Sequence, residues 1–100
     1  MMIPCGNAVA EVLRHAERPG FTGVTLLSYK RDRWVCVRPI HAPSGDSSRF
    51  LVEERGFTHQ DKTCERRELR GLLKRLVRRE FPRSNKLHLR LDKSRINPPV

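Results

Sequence analysis

The strongest periodicity in the chain lies in residues 62–81. Leu69, Leu72, Leu73, Leu76 and Val77 recur at i, i+3, i+4, i+7 and i+8, the spacing of one face of an α-helix. Pro82 ends the pattern, because proline has no N–H to donate and restrains the residue before it. Asp61 or Thr63 is placed to cap the start, and Glu65 and Glu68 suit the positive end of the helix dipole. A narrower stripe of Val9, Val12, Leu13 and Ala16 predicts a first helix over residues 6–17, with Asn7 as its cap. Arg18-Pro19-Gly20 stops it.

Between the helices the pattern turns to β. Residues 21–30 are rich in β-branched and aromatic side chains and predict a strand. The turn Lys30-Arg31-Asp32-Arg33 leads into a second strand, residues 34–38, which ends at Pro39. Alternation in these two strands is too blurred to say which side chains face a core. Residues 41–48 are a loop by composition, and Phe50, Leu51 and Val52 begin a third strand that Gly56 closes. After the second helix, Lys86-Leu87-His88-Leu89-Arg90-Leu91 alternates cleanly, with three leucines on one side and three polar residues on the other. The expected fold is α+β, in the order α-β-β-β-α with an additional C-terminal strand, as one sheet covered by two helices on one face. A chain of 100 residues leads us to expect one domain, residues 1–91, with residues 92–100 as a frayed tail.

Charge changes this picture more than size does. The net charge is +10, and residues 62–95 carry 13 Lys and Arg against four acids, which is nearly the whole excess. On the predicted second helix, Arg67, Arg70, Lys74 and Arg78 are spaced by three, four and four. They form one stripe opposite the leucines, and none has an acid three or four places away. Opposite pairs at those spacings stabilise a helix by roughly 0.2–0.5 kcal/mol each, and like pairs destabilise it by similar amounts. The stripe therefore weakens the helix unless an anion lies on it. Arg outnumbers Lys by 16 to 5, and the planar guanidinium fork matches phosphate oxygens. A solubility face in an Arg-rich proteome would look the same.

The basic surface extends beyond the helix. Lys30, Arg31 and Arg33 crowd the first turn, flanked by Tyr29 and Trp34, and Lys86 and Arg90 lie on the polar row of the last strand. Bases stack on aromatic rings beside cations, although two aromatics bracketing a turn also serve as a cross-strand pair that steadies a hairpin. The order helix, three strands, helix is similar to that of double-stranded RNA-binding domains. That resemblance implies a basic motif at the start of the second helix lying across phosphates. The corresponding stretch here, Lys62-Thr63-Cys64-Glu65-Arg66-Arg67, has an acid in its middle and departs from the family's Lys-rich motif.

Other chemistry finds less support. Cys5, Cys36 and Cys64 are an odd, widely spaced set, which is no disulfide framework and fits the reducing cytoplasm. Cys36 and His41, and His59 and Cys64, lie five apart, unlike the tight pairs of zinc sites. Cys64, in an expected first helical turn among arginines, is the thiol whose pKa such a setting would lower. No metal or other cofactor is expected. His15, His41, His59 and His88 are candidate acids or bases for a metal-independent ribonuclease, His59 first because it precedes the basic helix. There is no Gly-x4-Gly-Lys-Ser/Thr motif, no paired carboxylates and no serine-nucleophile motif. No run of 18 apolar residues occurs, and the first residues lack a basic segment followed by an apolar one. We expect a small cytoplasmic nucleic-acid-binding domain, RNA before DNA, that is not an enzyme. An interaction module for an acidic protein partner is the alternative, and the ribonuclease a second one.

Overall fold

A computed structural model describes residues 1–18, 20–40, 49–82 and 84–92. The expected loop at 41–48, and the expected tail apart from Asp92, lie outside the described residues. The fold is α+β. Strand β1 (Met2–Pro4) leads through a single 3-10 turn (Cys5–Asn7) into helix α1 (Ala8–Ala16). Strands β2 (Val24–Leu27), β3 (Trp34–Ile40), β4 (Arg49–Arg55) and β5 (Gln60–Glu65) follow, then helix α2 (Arg66–Glu80) and strand β6 (Lys86–Leu91). Every neighbouring pair is antiparallel, in the order β1-β6-β2-β3-β4-β5.

Four strands, not three, therefore separate the helices, and β1 adds a sixth. The departure from the order of double-stranded RNA-binding domains falls on their basic-motif position. Lys62, Thr63 and Cys64 pair with Val52, Leu51 and Phe50 in β5, so they cannot open a helix. The cap is accordingly Glu65 and not Asp61 or Thr63. Its carboxylate accepts from the backbone of Glu68, and Glu68 Oε1 accepts the Glu65 N–H at 3.0 Å, a reciprocal capping box. Asn7 makes no side-chain cap bond to α1.

The core lies between one face of the sheet and the two helices. Val24, Leu26, Val35, Val37, Phe50, Val52, Leu87 and Leu89 point at Val12 of α1 and at Leu69, Leu72, Leu73 and Leu76 of α2, all buried. Burying each such side chain is worth roughly 1.5–3 kcal/mol. Side chains alternate across a strand, so Thr25, Leu27, Trp34, Cys36, Arg38 and Glu53 stand on the other face, which no helix among the described residues covers. Leu27 and Cys36 are buried there too. Apolar groups on both faces explain why the sequence pattern of β2 and β3 is blurred.

Candidate nucleic-acid interface

The expected site residues separate onto two sides of the molecule. On the helical side, α2 holds its leucines against the sheet and turns Arg67, Arg70, Lys74 and Arg78 to solvent. Arg67 Nε reaches back 3.0 Å to Glu65 Oε1, so one member of the stripe has a carboxylate partner. Arg70, Lys74 and Arg78 have none among the described residues. They border a groove of about 450 Å³ between α1 and α2. Its floor is apolar, from Val9, Val77 and Phe81. Eight residues of helix separate Arg70 from Arg78, a cationic edge about 12 Å long.

The rest gather around the sheet face opposite the helices. There a basin of about 340 Å³ is lined by Leu27, Arg31, Trp34, Cys36, Arg38 and Arg90, among others. Trp34 is 38% exposed and Tyr29 is 74% exposed. The two rings are not a cross-strand pair. Trp34 lies between Leu27 and Arg55 in the register, and Tyr29 stacks on the His88 imidazole at 6.1 Å and 23°. Arg38 is engaged with Glu53 at 3.7 Å and Asp92 at 3.5 Å, while Arg31 and Arg90 meet no carboxylate among the described residues. Lys30 and Lys86 are exposed.

Arg33 belongs to neither surface. Its Nε donates to the carbonyl of Glu80 at 2.9 Å, and its guanidinium lies 4.8 Å over the Phe57 ring. That position ties the β2–β3 turn to the end of α2 and leaves Arg33 half-buried. Next to it is a constellation with no local signature in the sequence, the fully buried carboxylates of Glu54 and Glu80. Arg79 grips Glu54 with two bonds of 2.9 and 2.6 Å, and Gln60 donates a third at 2.8 Å. Glu80 accepts the N–H groups of Phe57 at 2.9 Å and Thr58 at 3.1 Å. A Cβ on Gly56 would collide with the Glu80 carboxylate, so the chain passes there only as glycine. Burial pushes Glu54 up, but the bonds from Arg79, Glu80 and Gln60 outweigh it and hold the carboxyl at about 2. Burial and the bond shared with Glu54 push Glu80 up, against the two N–H groups. Twenty-six positions separate these acids, and only the β4–α2 packing joins them.

The histidines and cysteines do not converge. His15 is buried in α1, and burial pushes its pKa down. His59 is exposed before β5, His88 is under Tyr29, and His41 lies outside the described residues. No cluster of three His, Cys, Asp or Glu side chains fit for a metal occurs among the described residues. Cys64 is buried in β5 and not in a helical turn, and burial raises its pKa, as it does for Cys5 and Cys36. The Cys64 thiol is therefore neither facing solvent nor lowered in pKa by a helical turn, but packed. No helix among the described residues is long and apolar enough to cross a membrane. Comparison with protein-family models, with curated proteins and with solved structures finds no match for the chain.

Proposed function

We propose that this chain is a small basic nucleic-acid-binding domain that holds phosphates along the outer face of α2. One observation carries the reading. Arg70, Lys74 and Arg78 stand exposed in a row along a groove, with no carboxylate partner among the described residues, while Arg67 and Arg79 each have a carboxylate partner, Arg66 lies over the Phe50 ring and Arg33 bonds the Glu80 carbonyl. Cations left in a row repel one another, and a polyanion relieves that repulsion by releasing its own counterions. Contacts of this kind position a backbone and do not read its sequence. The cytoplasm, where three unpaired thiols stay reduced, is the setting we assign.

Joint replacement of Arg70 and Lys74 by Gln tests the reading. Both side chains are exposed, so the thermal midpoint should stay within a degree or two. Affinity for single strands, duplexes and inorganic polyphosphate alike should fall, roughly tenfold at 0.1 M salt. Unchanged affinity in that variant sinks the helix as the contact surface. The apolar floor of the groove favours the second reading, an acidic protein helix, since Val9, Val77 and Phe81 would have no use in phosphate binding. Under that reading the chain purifies free of nucleic acid and shifts no oligonucleotide at low salt.

A further inference from the structure

We infer that the sheet face opposite the helices is a second site, one that takes an unpaired nucleobase of a single-stranded nucleic acid. The inference rests on the nucleic-acid reading above but uses none of the same residues. Three features of the face point to it.

The first is an exposed indole in the middle of a sheet. Trp34 is flanked by Leu27 and Arg55 across the register, and its ring borders a basin whose floor includes the buried Leu27 and Cys36. An exposed indole beside arginines suits a base, whose faces are apolar and whose edges are polar. The second is charge. Arg31 and Arg90 rim the basin without a carboxylate partner among the described residues, while the acids present, Glu53 and Asp92, are both engaged by Arg38. The free charge at the rim is therefore positive and complements a phosphate flanking the bound base. The third is rigidity. The 28–33 turn that carries Tyr29 and Arg31 is pinned at 2.9 Å from Ser28 N–H to Arg33 O, at 2.8 Å from Arg31 N–H to Ser28 O and at 2.7 Å from Ser28 Oγ to Asp32. Arg31 is held at a φ of 62°, a conformation that non-glycine residues rarely adopt. Tyr29, already stacked on His88, keeps most of its ring in solvent. A ring already held in place loses less freedom when a base stacks on it.

A duplex keeps its base faces stacked inside, so this face discriminates single strands from duplexes, and phosphate alone does not satisfy it. Trp34 is the only tryptophan in the chain, so its emission reports on this face and no other. The test titrates the full chain with an eight-residue oligoribonucleotide, its deoxy counterpart, a blunt duplex and inorganic polyphosphate, following both Trp34 emission and affinity. The expected result is quenching by the single strands and none by duplex or polyphosphate. Tyr29→Ala should weaken single-strand binding about five- to tenfold and leave polyphosphate binding unchanged, with Trp34→Phe keeping most of the affinity and Trp34→Leu losing it. The ribo and deoxy arms decide which sugar is preferred. Steady emission with every polyanion, or a Tyr29→Ala variant that binds single strands as well as the parent does, overturns the inference while leaving the α2 reading intact. Quenching that survives the Arg70→Gln/Lys74→Gln change with undiminished affinity overturns the α2 reading and leaves this one standing. Absence of binding to any polyanion overturns both.

Discussion

Arg79 is the side chain that allows Glu54 to remain ionised inside the fold. Its guanidinium is 44% exposed while the Glu54 side chain is 1% exposed, so the pair is buried at one end only. Truncating Arg79 to Ala leaves a buried carboxylate with Gln60 and Glu80 alone, and should destabilise the protein by about 2–3 kcal/mol in chemical denaturation. The two acids also impose opposite pH slopes. Glu54 has a folded pKa of about 2, below its ordinary value, so its contribution is present above the ordinary carboxylate range and is lost as pH falls toward 2. Glu80 is raised, so its contribution is full below the ordinary range and is lost as pH climbs through its folded pKa. A thermal-melt series against pH should therefore rise out of strong acid and then fall once Glu80 deprotonates. Glu80→Gln, which cannot deprotonate, should flatten the second limb and keep the first. A falling limb of unchanged height in that variant would assign it to another group. None of this was legible in the sequence, where Glu54 and Glu80 sit in unrelated segments. Acids are ordinarily surface residues, and only the closeness of β4 to the end of α2 makes these two a pair.

Legibility at the level of elements follows how much of each element is buried. The α2 stripe and the alternation of β6 could be read because Leu69, Leu72, Leu73, Leu76 and Val77 of the one and Leu87 and Leu89 of the other pack on the core, although Leu91 of β6 is 46% exposed. The edge strands could not. In β5, Gln60, Lys62 and Cys64 are the inward positions and only Cys64 is buried, and in β1 only Ile3 is. An edge strand held chiefly by backbone bonds carries no apolar alternation, and its charges protect it from pairing with other chains. The surface residues of α2 show a similar division. The stripe could be read from spacing, but the capping carboxylate of Glu65, two residues away, takes Arg67 out of it, and in the β2–β3 turn Arg33 is drawn inward by the end of the helix. Gly71 offers a test of how the helix balances its own repulsion. It is exposed in mid-helix, and a Cβ there meets nothing within 4 Å. Gly71→Ala should stabilise the protein by about 0.5–1 kcal/mol through backbone entropy alone, a rise of roughly 2–8 °C in Tm. A melt that does not move would mean that α2 is not part of the cooperative unit that unfolds.

At the scale of the whole molecule the question is whether one polyanion can engage both faces. The groove beside α2 and the basin on the sheet lie on opposite sides of a body 24 Å across at its narrowest. The two meet around one edge. Met2 of β1 pairs in register with His88, whose ring carries Tyr29, and the residues that follow β1, Cys5 and Gly6, border the groove. Under the proposed function, a single strand passing around β1 would touch the aromatic platform at one end and Arg70, Lys74 and Arg78 at the other. Since the body is 24 Å thick at the least, a strand rounding that edge needs at least about seven nucleotides at about 3.4 Å each. Affinity should then depend on length in two regimes. Tetranucleotides reach one face at a time and bind weakly. Twelve-nucleotide strands reach both, and the second contact becomes intramolecular, which commonly multiplies affinity by about 10²–10⁴. Three phosphate contacts on α2 give a salt slope of about −2 for single strands, or roughly a 20-fold loss between 50 and 200 mM. The Arg70→Gln/Lys74→Gln variant should lose most of that slope. For the long strand, its effect and that of Tyr29→Ala should add in free energy, because the sites share no partners; for the tetranucleotide, each variant should leave the other face's binding untouched. A smooth increase with length and no step near seven nucleotides would mean that strands lie along one face and never round the β1 edge.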